Sequence, residues 1–403
     1  MTQRLPPPRS LVHQCLRSFA LHWERLIEYE QHYVSTLPIS LKEALLSFLT
    51  IYGNKGCLDF TSFKILFQNE EGSGTAGWDE TQFLDLTELL NEHFTISDLG
   101  KCLKRSTSHA SLGLERLHII GDGRPSNTKK AATDSVAESW EEEVDEESPP
   151  QPVLAAKLQT PHFVNLSRLS LARPGQRASW PELLRISPSL NKITHLSLAY
   201  WPRPSMTPNA STTSMISNHT SVSLGGSHFY SDLDDDWHEA TNILRRFSVH
   251  TYSLQWLDLE GCNWLKALSG QAWRSPLLER RIRPEEEVEM WDVLNALPGP
   301  DWNDAWRRIT YLNLFQGWIP SDTQSLQTMP AGVVPVELLC WLRENKDNEH
   351  VQHKLNAEET GYAVAEWVAR EKVARLVGSQ IQAVRKSRQG SWIKVDPGWG
   401  PSL

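Results

Sequence analysis

One short line recurs along this chain: a leucine or isoleucine, two residues, a leucine, one residue and another apolar residue. Its clearest copy is Leu254-Gln-Trp-Leu257-Asp-Leu259-Glu-Gly-Cys262, and others stand at Leu114-Leu117-Ile119, Leu166-Leu169-Leu171, Ile193-Leu196-Leu198 and Ile309-Leu312-Leu314. Alternation in the second half of the line predicts a short strand with its leucines on one face. Leu169 and Leu196 are 27 residues apart, whereas Leu196 and Leu257 are 61 apart. The excess of 34 matches the stretch between Trp201 and Asp236, rich in Pro, Ser, Thr, Asn and Gly. Such a composition cannot bury a core, so 202–236 reads as an inserted loop, and removing it restores the shorter spacing.

A tryptophan opens a helical segment before several lines, at Trp180-Pro-Glu-Leu-Leu, Trp237-His-Glu-Ala-Thr-Asn-Ile-Leu and Trp291-Asp-Val-Leu-Asn-Ala-Leu. Helix alternating with strand predicts an α/β fold in which parallel strands form a ladder and helices cover its outer side. Tryptophan also follows strands, at Trp201, Trp264 and Trp318, and most of the 17 tryptophans read as core.

These lines, from about Leu114 to Ile319, resemble leucine-rich repeat proteins of the ribonuclease-inhibitor-like or F-box-associated kind. The resemblance implies a solenoid: parallel strands on a concave face, helices outside, an N-terminal helical cap and a C-terminal helix. It also implies a non-enzymatic scaffold whose concave face grips a protein partner. The residues between the leucines then point onto that face: Arg116, His118, Arg168, Ser170, His195, Ser197, Trp256, Asp258, Glu260, Tyr311, Asn313 and Phe315. Trp256, Tyr311 and Phe315 are its expected anchors, because exposed aromatics on a rigid surface are the usual hot spots.

Residues 1–110 read as helical, opening with Leu11, Cys15, Leu16, Phe19, Trp23, Leu26 and Ile27 at helical spacing. A second helix, from about Ser40 to Leu49, carries Leu37-Pro38, Leu41, Leu45, Leu46 and Leu49 and resembles the first helix of an F-box. That resemblance implies docking to a ubiquitin-ligase scaffold; the other reading is a cap that closes the repeat core. Repeats are expected over 111–123 and 160–350, an acidic disordered linker over 124–159, and a C-terminal helix and tail over 351–403. The helix is expected over Asn356–Arg388, ending in Arg385-Lys-Ser-Arg388, with a closing strand in Gly390-Ser-Trp-Ile-Lys-Val. Those cations complement a helix C-terminus, or meet an acidic partner or the chain's own acidic linker.

The net charge of −9 is concentrated, since Glu138, Glu141, Glu142, Glu143, Asp145, Glu146 and Glu147 hold seven of those charges. The remainder is too nearly neutral to attract nucleic acid. Ser135 and Ser139 precede acidic residues as phosphorylation sites do. Five cysteines lie far apart with no Cys-x-x-Cys pair, which predicts neither zinc site nor disulfide framework. No apolar run is long enough for a membrane span, and a cytoplasmic or nuclear location is expected. Arg4, Arg9, Arg17 and Arg25, with no acid before Glu24, give the N-terminus the bias of a mitochondrial presequence, against which Pro6-Pro7-Pro8 counts.

Four short matches to chemical motifs are weaker than this pattern. Gly72-Ser-Gly74-Thr-Ala-Gly77 has the letters of a dinucleotide loop, but Glu70, Glu71, Asp79 and Glu80 surround it. Ser217-Asn218-His219-Thr220-Ser221 resembles the start of the catalytic block of tafazzin-type acyltransferases, although Leu224 stands where that block has its aspartate. Asp232-Leu-Asp234-Asp-Asp236 has calcium-loop spacing, with Trp237 in place of glycine and Ile243 in place of the bidentate glutamate. His350 and His353 lack a third ligand. No cofactor, metal or small-molecule substrate is evident.

Overall fold

In the computed structural model, which describes residues 5–68, 77–104, 158–206, 237–269, 299–321, 326, 329–330, 334–345, 348–356 and 361–400, the recurring lines become a parallel sheet. Its strands are β1 (Phe83–Asp85), β2 (Arg168–Ser170), β3 (His195–Ser197), β4 (Trp256–Asp258), β5 (Tyr311–Asn313) and β8 (Lys394–Asp396), paired in chain order. Register is uniform, so Leu84, Leu169, Leu196, Leu257, Leu312 and Val395 stand side by side. All six are at most 1% exposed. A separate parallel pair joins β6 (Ile319–Pro320) to β7 (Leu355–Asn356).

Helices cover the leucine side. Here α7 (Trp180–Ile186) starts at Ser179, whose hydroxyl accepts from the Glu182 N–H. It is followed by α8 (His238–His250) and the long α11 (Gly361–Ser387). Leu183, Phe247, Val377 and Ile381 share one core with the strand leucines. Trp180, Trp201, Trp264, Trp302 and Trp306 are buried in the same core. Each indole N–H is satisfied, as burial of a donor requires: Trp201 Nε1 donates to Leu171 O at 2.6 Å and Trp264 Nε1 to Trp201 O at 2.8 Å. Trp306 Nε1 donates to Thr251 Oγ1 at 2.9 Å. The segment opened by Trp291 lies outside the described residues.

The first hundred residues hold α1 (Leu11–Leu21), α2 (Trp23–Tyr29), α3 (Gln31–Ser35), α4 (Ile39–Tyr52), α5 (Phe60–Leu66) and α6 (Ile96–Leu103). They also hold β1, which the sequence reading missed. In β1 the first place of the recurring line is Thr81, buried like its leucine and isoleucine counterparts but polar. A search for an apolar residue there passes over it. The slot beside β2 expected for Leu114-Leu117-Ile119 is thus taken by Phe83–Asp85, and residues 114–119 lie outside the described residues.

A sheet edge exposes unpaired N–H and C=O groups, and α4 answers them at β1 with its own side chains. Glu43 Oε1 accepts from Gln82 N at 2.8 Å and Phe83 N at 3.0 Å. Ser47 Oγ donates to Asp85 Oδ2 at 2.8 Å, and Thr50 Oγ1 to Thr87 O at 2.9 Å. Leu45, Leu46 and Leu49, which carry the F-box resemblance, are buried in the core.

Toward the C-terminus come α9 (Val336–Glu344), α10 (Glu349–Gln352) and α11, with a second core of Phe315, Ile319, Leu338, Val364, Trp367, Val368 and Trp399. Arg385, in the cationic end of α11, is 2% exposed. Its guanidinium donates to Arg307 O at 2.6 Å and Ile309 O at 3.1 Å, and also to Trp306 O. It therefore fastens α11 to the segment entering β5 rather than meeting a partner.

Candidate interaction face

Away from the helices, the strands place two rows of side chains, and the rows differ in kind. The first places of the strands put Arg168, His195, Trp256, Tyr311 and Lys394 in one line, with buried Phe83 at its end. In-register parallel strands lie about 4.8 Å apart, a spacing at which flat rings stack. His195 and Trp256 have centroids 6.2 Å apart, and Trp256 and Tyr311 lie 5.7 Å apart with planes within 4°. All three rings are half-buried, while Arg168 and Lys394 at the flanks are exposed. Lys394 Nζ sits 5.9 Å from the Tyr311 centroid. Burial, and then the charge of Arg168, hold His195 below its ordinary 6.5, which favours the neutral ring. Burial raises the Tyr311 phenol, and so does its 2.8 Å hydrogen bond to Asp396 Oδ2.

The second row, Asp85, Ser170, Ser197, Asp258, Asn313 and Asp396, is committed to the protein itself. Ser197 Oγ donates to Asp258 Oδ2 and Asn313 Nδ2 to Asp258 Oδ1, both at 2.7 Å. Thr87 Oγ1 bridges Asp85 Oδ1 at 2.7 Å and Ser170 Oγ at 2.8 Å. Asp85, Asp258, Asn313 and Asp396 each accept the backbone N–H two residues on, which turns the chain out of its strand. Asp258, Ser170 and Ser197 are at most 6% exposed, so the expectation that they point outward to a partner is corrected. Alternation sets the side of the sheet; it does not set exposure.

Phe315 requires the larger correction. It is 6% exposed and lies in the second core, not on the face. The strand ends at Asn313, and the ring passes over Gly398, where φ is 92° and a Cβ would overlap it. Glu260 is partly buried at the corresponding place just after β4, and burial followed by the charge of Asp258 raises its carboxyl above the ordinary range.

One residue beyond, the chain adopts positive φ at Glu88, Arg173, Tyr200 and Gly261, four equivalent places in successive units. Only the last is glycine, and a left-handed residue costs the others about 1 kcal/mol or more. Their side chains join: Arg173 Nη1 reaches Glu88 Oε1 at 3.1 Å, its guanidinium lies 4.6 Å from the Tyr200 centroid, and Tyr200 Oη donates to Glu260 Oε1 at 3.2 Å. Glu88, Arg173 and Tyr200 were not foreseen, because a turn conformation shared between units carries no composition signal when glycine is absent.

Arg116, His118, His219, Asp232–Asp236, Ser135 and Ser139 lie outside the described residues, as do 105–157, 207–236 and all of the dinucleotide-like loop but Gly77. Among the described residues no group of three His, Cys, Asp or Glu is placed to hold a metal ion. Burial pushes the Cys57 thiol up to about 11 and Cys102 up to about 12, which suppresses thiolate chemistry at both. No helix among the described residues is long and apolar enough to cross a membrane. Compared with protein-family models, curated proteins and solved structures, the chain matches none.

Proposed function

We propose that this chain is a leucine-rich repeat solenoid serving as a non-enzymatic scaffold, and that it binds a protein partner through the row Arg168, His195, Trp256, Tyr311 and Lys394. The observation that carries this reading is the partly exposed stack of His195, Trp256 and Tyr311 on the sheet. Trp256 lies between His195 and Tyr311, and Lys394 flanks the Tyr311 ring. Partly exposed aromatics on a preorganised backbone bind at low entropic cost, and the satisfied polar row beside them excludes a second anchor there. Asp258 and Asn313 hold adjacent strands together beside that surface.

The test compares partners captured on the tagged protein and on a Trp256→Ala variant by quantitative mass spectrometry, with thermal melts of both. A specific partner should fall about 30-fold or more in the variant, the effect of losing one hot spot, while the melting temperature changes by no more than about 3 °C. Equal recovery of every partner from both proteins would overturn the assignment of the row. Recovery of ubiquitin-ligase scaffold subunits would identify the partner class as the one implied by the helix at Leu41–Leu49.

A further inference from the structure

A cavity of about 550 Å³ lies where the end of α6 meets the segments that lead into β2 and β3. Its floor is apolar, with Phe163, Leu166 and Ile193 drawn from the core, and its rim carries Lys104, His162 and Lys192. None of the twelve lining residues is acidic. Lys192 spends one donor on Val164 O at 3.1 Å and keeps two, and neither lysine forms an ion pair among the described residues. His162 Nδ1 is buried without a hydrogen-bond partner among the described residues, a state that costs free energy until a ligand supplies one. The volume falls in the range of small-molecule sites, which combine apolar walls with a few polar groups that fix orientation.

We propose that this cavity is a binding site for a small amphipathic anion, an acyl or aryl chain ending in a carboxylate. The chain lies on Phe163, Leu166 and Ile193, and the carboxylate sits between Lys104 and Lys192 within reach of His162. An uncharged amphiphile leaves the lysines unused, and a cationic one is repelled by them. No covalent step is involved.

The full-length protein is titrated calorimetrically with octanoate, decanoate and dodecanoate below their micelle concentrations, and with decyltrimethylammonium as the charge control. Binding should saturate at one ligand per chain and tighten by about fourfold per added methylene, the value of burying each one. The exposed rim allows a Lys104→Glu/Lys192→Glu variant to fold, which its melting curve checks, and this variant should bind decanoate at least about tenfold more weakly. His162→Leu should weaken it by a smaller factor. The proposal is overturned if decanoate does not saturate, if decyltrimethylammonium binds as tightly, or if the charge-reversed variant binds as the parent does. Binding that emerges only after deletion of Glu138–Glu147 also overturns it and assigns the cavity to that acidic stretch.

Discussion

The first and second rows of the sheet face are two residues apart on every strand, yet one holds stacked rings and the other polar side chains that bond to one another. Trp256 and Asp258 illustrate the difference. The indole of Trp256 finds only ring neighbours, His195 and Tyr311, along its row. Asp258 instead finds Ser197 and Asn313 on either side and the Glu260 N–H ahead of it. A carboxylate with matched donors on adjacent strands is worth more inside the protein than at an interface, since removing any partner strands a buried polar group. Rings stacked in register leave His195, Trp256 and Tyr311 partly exposed. Two rows on the same side of one sheet can therefore serve different ends, one fixing the unit-to-unit geometry and the other available for recognition.

The sharpest way to break this contrast is Phe315→Ala, which should cost about 3–5 kcal/mol in denaturant unfolding because it empties a core site. A variant of parental stability that lost its partner would return Phe315 to the open row. Next, Asp258→Ala should cost about 3 kcal/mol by leaving Ser197 and Asn313 without their acceptor; a loss below about 0.5 kcal/mol would mean the second row is solvated after all. Tyr311→Phe keeps the stacked ring and removes only the bond to Asp396, so a loss of about 1 kcal/mol is expected, with partner capture retained.

The smallest effect is one of pH. Glu260 has its carboxyl raised above the 4.5 of the unfolded chain, so the folded state holds the proton more tightly. Its contribution to stability is fully present below 4.5 and is lost as pH rises through the folded value. Relative to the parent, Glu260→Gln should thus gain stability as pH rises above 4.5 and through the folded value, read as a rising difference in denaturant midpoints. A constant difference across that range would show that Glu260 titrates normally.

Much of the architecture was legible in the chain itself. The middle leucine of four lines, at Leu169, Leu196, Leu257 and Leu312, aligned in register as spacing foretold, because a parallel ladder with one buried face tolerates no slip. The closing strand was legible too, in Ile393-Lys-Val395. The unit at β1 was hidden by a single polar residue, Thr81, and only the structure shows that α4 seals its edge through Glu43, Ser47 and Thr50.

For the face, sequence determined which residues share a side, since side-chain alternation is local and steric. The aromatic row at Trp256 and Tyr311 follows from that alone. Tertiary structure decided which of those residues stay open: Asp258 closes on donors that come from strands 61 and 55 residues away. Phe315 turns inward against Gly398, and Arg173 meets Glu88 across 85 residues. Exposure depends on partners distant in the chain, and no local pattern encodes where those partners arrive.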